Sequence, residues 1–577
     1  MSVMSEKDLP EADECQYVSY HHPQWDEKGK CHWKGLGLQH QSFNAEAKCV
    51  VPPTKIIPVI FLPGVMGSNL KSSGGQIKEG EPIWRGDSSL GVYVAWADLK
   101  GPTRQELLNP KTTTIDNQGK INSKVYSLIT DDGQGDYGTL LQPRKERGWG
   151  GILNFSYGNT LSVLQGALLD DWQKAAKRRA DGKAGISDNP KENGIVRQLC
   201  NKLLGTEDKN ENCLTEKEAS HFLNFLYPLH VFGYNWLEDN AVSAAKLAKY
   251  IDKVLRDYGS EKKHGHGLAV EKVILVTHSM GGLVARYAMN PPEDVEFNGC
   301  QNKVLGVVHG VIPDLGSPAA YRRMKVGAKQ EGFAGAVMGN SAKELMSVLA
   351  RAPAPLQLLP GSNYISNTHG MAWFSIEKGN ADGSDLVLPK KGDPFEEIYL
   401  NKTLWWRLYE SDIIDKEESV SRDNWSQYND LMDDTVREFI SSLNEAGYHP
   451  NTYVFYGHKK PSDGSVKWHI TSITYPKDTH DSDKKIPNNY REVPLPFNRS
   501  RLYQLKSSNS AGDGTVPVES FKTIQRQNGQ SIKSVLATDV DHQGAYEVKN
   551  LEDIHQRPAL KFTLRAIAKM VQEVPAC

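Results

Sequence analysis

The sequence predicts an α/β fold built on a mostly parallel sheet, and three observations carry that prediction. Short continuous apolar runs, at 56–62, 273–277 and 304–308, suit strands buried on both faces. Helical patterns lie between them: Val242, Ala245, Leu247, Ile251, Val254 and Leu255 fall near a 3.6-residue period over 240–258, and a second helix begins at Gly281. The resulting strand–helix–strand–helix alternation calls for parallel strands joined by right-handed crossovers.

Each element follows in chain order. The first strand, 56–62 (IIPVIFL), runs straight into a Gly-rich turn, Pro63-Gly64-Val65-Met66-Gly67-Ser68. A second short strand is expected at 230–234, then the amphipathic helix 240–258, strand 273–277 and the helix from Gly281. Strands at 304–308, 452–456 and 534–537 and a final helix at 560–573 complete the core. The organisation expected is an N-terminal extension (1–50), a core assembled from 51–70, 230–320 and 451–577, and two large cap or lid insertions, 71–229 and 321–450. Within the last core segment, 458–500 reads as an exposed polar excursion centred on DTHDSDKK.

Composition narrows the function. At 577 residues with 38% apolar and 24% charged side chains, the chain can bury a large core. Lys+Arg (68) and Asp+Glu (70) nearly cancel, so no basic excess points to nucleic acid. The N-terminal MSVMSEKDLPEADE lacks the charged and apolar regions of a secretory signal, and no run of about 18 apolar residues could span a membrane. The expectation is a chain made in the cytoplasm without a classical signal peptide and without a transmembrane segment. The seven cysteines, Cys15, Cys31, Cys49, Cys200, Cys213, Cys300 and Cys577, are odd in number and scattered. Cys200 and Cys213 are close enough in sequence to bridge, and free thiols fit equally.

The chemistry is concentrated in 273–289, VILVTHSMGGLVARYAM. A buried strand enters Thr277-His278-Ser279-Met280-Gly281 and leaves as a helix. This is the nucleophile elbow, G-x-S-x-G with Thr in the first position, and it defines the fold class as an α/β-hydrolase fold. The elbow exposes Ser279, and the small Gly281 and Gly282 let strand and helix approach. A serine needs a base, and the base an orienting carboxylate, in the chain order Ser, Asp or Glu, His. Asp513, in AGDGTVP, and His542, in the loop after strand 534–537, fill those places. Asp539 and Asp541 compete for the carboxylate but lie too near His542 in sequence. His278 reads as packing. The oxyanion donors expected are the N–H of Met280, after the nucleophile, and that of Val65, in the loop after the first strand. A decoy, Gly86-Asp87-Ser88-Ser89-Leu90 with Asp539-Val540-Asp541-His542, matches the blocks of the GDSL hydrolases, but its serine does not follow the first buried strand.

PGVMGSNL (63–70), PIW (82–84), GYNW (233–236), VTHSMGGLVAR (276–286), DLGSP (314–318), LLP (358–360) and GDGTVP (512–517) recur in this order in the lecithin:cholesterol acyltransferase-like lipases, which the sequence resembles. The HSMGGLVAR block is also similar to GPI inositol-deacylases. The resemblance implies Ser279, Asp513 and His542 as triad, Val65 and Met280 as oxyanion donors, Trp84 in a lid, and a membrane lipid ester as substrate. It covers about half the chain, in scattered blocks, and this sequence departs from the family in lacking a secretory signal and in carrying large polar insertions. A leaderless lipase of this size is similar to the antibacterial phospholipase effectors of bacterial type VI secretion. That similarity implies an immunity protein, a secretion spike protein as carrier, and delivery into a target cell periplasm or a host cell.

An acyl chain needs an apolar slot, and 152–170, 222–229 and 331–360 are the candidates. The Asp clusters at 131–136 and 478–483 lack EF-hand spacing and read as solvated loops, so no metal is assigned. The mechanism requires no cofactor. An esterase or amidase acting on soluble substrates, and a non-catalytic binding protein on the same fold, are the alternatives.

Overall fold

The structure is a computed structural model that describes residues 17–21, 24–25, 31–33, 45–49, 53–124, 126, 141–183, 187–260, 272–367, 369–410, 413, 424–474, 489–496, 499–521 and 532–576. Both Asp clusters singled out as calcium candidates, 131–136 and 478–483, lie outside these residues.

The central sheet has six strands: β1 (Val59–Leu62), β2 (Leu229–Val231), β3 (Val273–His278), β4 (Val304–Gly310), β5 (Thr452–Gly457) and β6 (Ile532–Thr538). Their order is β2-β1-β3-β4-β5-β6 and every pairing is parallel. The first strand starts later than the apolar run suggests. Pro58 has no N–H for the ladder, so Lys55–Ile56 pairs separately with Phe225–Leu226.

Alternate residues feed two cores, which is why the strands are apolar throughout. Ile60, Leu62, Leu275, Val307 and Val454 join one apolar cluster, with helices α2 (Asn240–Gly259) and α3 (Gly281–Met289). Val59, Phe61, Ile274, Val276 and Phe455 join the other, with helices α1 (Asn159–Ala180) and α4 (Pro558–Met570). Helix α1 falls in the 71–229 stretch, so part of that stretch forms a layer of the core.

The 458–500 stretch does more than protrude. Strands Val466–Thr474, Tyr490–Leu495 and Arg499–Ser507 join Phe374–Ile376 and Leu386–Leu388 in a second, five-stranded sheet. The chain leaves β5 through Lys460–Ser462 and returns through Ser510–Gly512, which pairs antiparallel with it. That closure brings Asp513 back beside the end of β5. A Cβ on Gly457 would stand 2.5 Å from the Asp513 Cβ.

Both rims of the central sheet carry partners from outside it. Along β2, the Arg147 guanidinium and Trp149 indole donate to Leu229 O at 2.7 and 2.8 Å, and Val231 N–H donates to Arg147 O at 2.8 Å. Along β6, Glu207 N–H donates to Val535 O at 2.8 Å and the Asp208 carboxylate accepts from the Ser534 hydroxyl at 2.5 Å. Cys200 and Cys213 are free thiols. Among the described residues no helix is long and apolar enough to cross a membrane.

A buried ion pair locks α3. The Arg286 guanidinium donates to the Asp314 carboxylate, both side chains at most 2% exposed, and to the carbonyls of Leu443 and Gly447 at 2.7 and 3.0 Å. Asp314→Ala would leave the guanidinium buried without its counter-charge. We expect a loss of about 3–5 kcal/mol in unfolding free energy, read from urea denaturation. A change under 1 kcal/mol would show that the pair is idle.

Candidate active site

Five segments meet at the carboxyl edge of the sheet. Ser279 stands between β3 and α3 with φ +52°, a left-handed conformation strained for a residue with a Cβ, and is held by its N–H donating to Gly310 O at 2.9 Å. The elbow is tight: a Cβ on Gly281 would lie 2.6 Å from Pro63 O and 2.8 Å from Leu62 O. Only glycine lets α3 start this close to β1.

The three residues expected as a triad lie in line. The Ser279 hydroxyl is 2.8 Å from His542 Nε2, and His542 Nδ1 is 2.7 Å from Asp513 Oδ2. The other Asp513 oxygen accepts from the N–H groups of Thr515 and Val516 at 2.9 and 2.7 Å, so the carboxylate cannot rotate freely. Asp513 is buried, while the His542 side chain keeps an 11% opening. The turn of the AGDGTVP stretch therefore aims one carboxylate oxygen at the imidazole.

The competitors are engaged elsewhere. Asp541 accepts from Gly544 N–H at 2.7 Å, and Asp539 faces Lys459 at 3.7 Å. Ser88 accepts from Gly91 N–H at 3.1 Å in an exposed turn. Val65 sits in a turn closed by Gly67 N–H donating to Gly64 O at 3.0 Å, and Met280 caps α3. Among the described residues nothing accepts from the amide N–H of Val65 or Met280; Val65 lines the cavity beside Ser279, and Met280 is buried.

Beside Ser279 opens a cavity of about 190 Å³. Trp84, Leu153 and Phe155 line one part of its wall, and Val337, Met338 and Leu358 another. Of the three apolar stretches considered, 152–170 and 331–360 reach the cavity. Stretch 222–229 is instead core and sheet, with Phe225–Leu226 and Leu229 in strands. Trp84 is at the cavity and buried, its indole donating to Met66 O at 2.9 Å. Arg323 also lines it, a residue the sequence did not single out; Glu331 pairs with it at 2.9 Å. Among the described residues no cluster of three or more His, Cys, Asp or Glu could hold a metal.

His278 packs among the rings of Tyr157, His542 and Tyr546 and is also hydrogen-bonded at both ring nitrogens. Its Nδ1 is 2.8 Å from the Tyr157 hydroxyl and its Nε2 is 2.7 Å from His542 O. Burial, reinforced by the neighbouring His542, pulls its pKa down to about 3. Burial does the same to His309, to about 3, and takes His230 well below the usual imidazole range. These residues are uncharged in the fold but take a proton on unfolding near pH 6.5. Their stabilisation is complete above that pH and is lost as pH falls below it, by about 1.4 kcal/mol per pH unit for each while it stays neutral in the fold. Asp171, pushed up to about 7 by burial, runs in the opposite sense between 3.8 and 7, as do Asp239 and Asp314, which burial also raises; His449, His469 and His555, lowered by burial, add to the imidazole side. The urea midpoint should therefore drop between pH 7 and pH 5. A flat or rising midpoint would show that the buried carboxyl groups outweigh the buried imidazoles.

A parallel sheet, a strained serine at a strand–helix elbow and an apolar cavity above it define an α/β-hydrolase. The chain belongs to the lecithin:cholesterol acyltransferase family, whose model matches residues 233–555. Its chemistry is accordingly that of lipid acyl esters. A chain in the crystal structure of the Tle4–Tli4 complex is 26% identical, with a TM-score of 0.68 over 90% of this chain and 99% of that one. Phospholipase PlaB from Legionella pneumophila matches at 13% identity over 61% of this chain and 78% of that one, with a TM-score of 0.15. No curated protein matches the sequence.

Proposed function

We propose that the chain is a serine lipase or phospholipase that hydrolyses acyl esters of membrane lipids through an acyl-enzyme. The supporting observation is the unbroken line from Asp513 through His542 to Ser279, with contacts of 2.7 and 2.8 Å. His542 Nε2 takes the hydroxyl proton as Ser279 Oγ attacks the ester carbonyl. Asp513 keeps the Nδ1 proton in place and stabilises the imidazolium that forms. The amides of Val65 and Met280 stabilise the oxyanion. His542 then protonates the leaving alcohol, and water attacks the acyl-enzyme with the same imidazole as base. The two insertions, 71–229 and 321–450, supply the caps over the cavity, with Trp84 and Phe155 from the first and Val337 and Met338 from the second at its wall.

In the cell, we assign it the role of an antibacterial type VI secretion effector. The similarity to a chain of the Tle4–Tli4 complex and the sequence resemblance to phospholipase effectors support this. An immunity protein that blocks the cavity and a spike protein that carries the enzyme into a target cell periplasm or host cell complete the proposal.

A fluorophosphonate probe tests the nucleophile: labelling should be lost in Ser279→Ala and kept in Ser88→Ala. Product analysis on phospholipid vesicles against short soluble esters tests the substrate. Release of fatty acid from vesicles supports the lipase; turnover of the soluble esters alone would favour an esterase. Labelling that survives Ser279→Ala overturns the assignment.

A further inference from the structure

The hydrogen-bond roles around His278 can be assigned one by one. The His542 carbonyl only accepts, so His278 Nε2 carries a proton. The imidazole is buried and neutral, which leaves Nδ1 as a lone pair. The Tyr157 hydroxyl, 2.8 Å away, must therefore donate to it. The Tyr157 oxygen is then free to accept from Gly64 N–H, which lies at 3.2 Å. At the far end, His542 N–H donates to Asp513 O at 2.8 Å. The protons thus run one way from the turn after β1 to the loop that carries His542. The contacts join segments 121 and 264 residues apart in the chain.

We infer that His278 and Tyr157 are positioning residues: the relay Gly64–Tyr157–His278–His542 fixes the spacing between the oxyanion turn and the general base. This rests on the triad reading given above. It also explains the choice of donor in the turn. Gly64 N–H is taken by Tyr157, so Val65 N–H is the first amide of that turn left to a substrate oxygen. Neutrality is part of the device. A cationic His278 would present two donors and repel the imidazolium that His542 becomes, with ring centroids only 5.4 Å apart.

Tyr157→Phe is the sharpest test, because it keeps the ring that packs on Phe61 at 5.4 Å and removes only the hydroxyl. His278→Gln, which keeps a donor for the His542 carbonyl, is the second. Both are read by fluorophosphonate inactivation kinetics on the full chain, with rates taken from the labelled fraction so that misfolded protein does not count. We expect the maximal inactivation rate to fall about 10–100-fold in Tyr157→Phe with the probe concentration for half-saturation unchanged. A smaller fall is expected in His278→Gln. Wild-type rates in both variants, even with a lowered melting temperature, would reduce these residues to structural ones and overturn the inference. Absence of Ser279 labelling in the wild type would instead overturn the triad reading, and the relay with it.

Discussion

Ser279→Ala will lower turnover by about 10⁶-fold, His542→Ala will lower it as much, and the double replacement will lose almost nothing further. The two side chains act as one unit. At 2.8 Å, Nε2 is in position to remove the hydroxyl proton as the Oγ–carbon bond forms. Without the imidazole the hydroxyl is too weak a nucleophile, and without the hydroxyl the imidazole has nothing to activate. What survives is the contribution of the oxyanion donors and of substrate binding, about 10³–10⁴ over water. Initial rates on phospholipid vesicles across the four proteins form the required cycle. Independent, multiplicative losses would mean that the two groups do not share a proton.

Asp513→Asn should cost about 10⁴-fold in kcat and leave the fold intact. The reason is local. One Asp513 oxygen is fixed by the N–H groups of Thr515 and Val516, so the asparagine carbonyl must take that place. Its amide NH₂ is then forced toward His542 Nδ1, where the carboxylate accepted at 2.7 Å. Two donors cannot face each other, so the imidazole changes tautomer, and Nε2 points a proton at Ser279 instead of a lone pair. The thermal midpoint should move only a few degrees while kcat collapses. A variant with more than a tenth of wild-type kcat would show that Asp513 does not set the tautomer.

The central sheet and its elbow were readable because their physics is local in sequence. Strands buried on both faces must be apolar throughout, and a serine strained between strand and helix needs Gly281 beside it. Asp513 and His542 could be found because the fold prescribes their order and each follows a turn. The second sheet was hidden for the opposite reason. In Val466–Thr474, Val466 and Trp468 are buried while Thr471 and Ser472 are exposed, so only part of the strand is apolar. The very polar run that follows it dominates any reading of 458–500. The partners of His278 lie 121 and 264 residues away, and no periodicity or spacing announces such contacts. Only the histidine next to the serine was a signal, and by itself it is ambiguous.

The partnered rims of the central sheet limit how another protein can inhibit this one. An inhibitor that added its own strand would need a row of free N–H and C=O groups. On β2, Arg147 and Trp149 take those groups at Leu229 and Val231, and on β6 the Glu207–Asp208 segment takes those of Val535. The immunity protein proposed above would then act by side chains or a loop seated over the opening of the cavity that Phe155 and Met338 help to line. Escape variants should accordingly cluster around that opening.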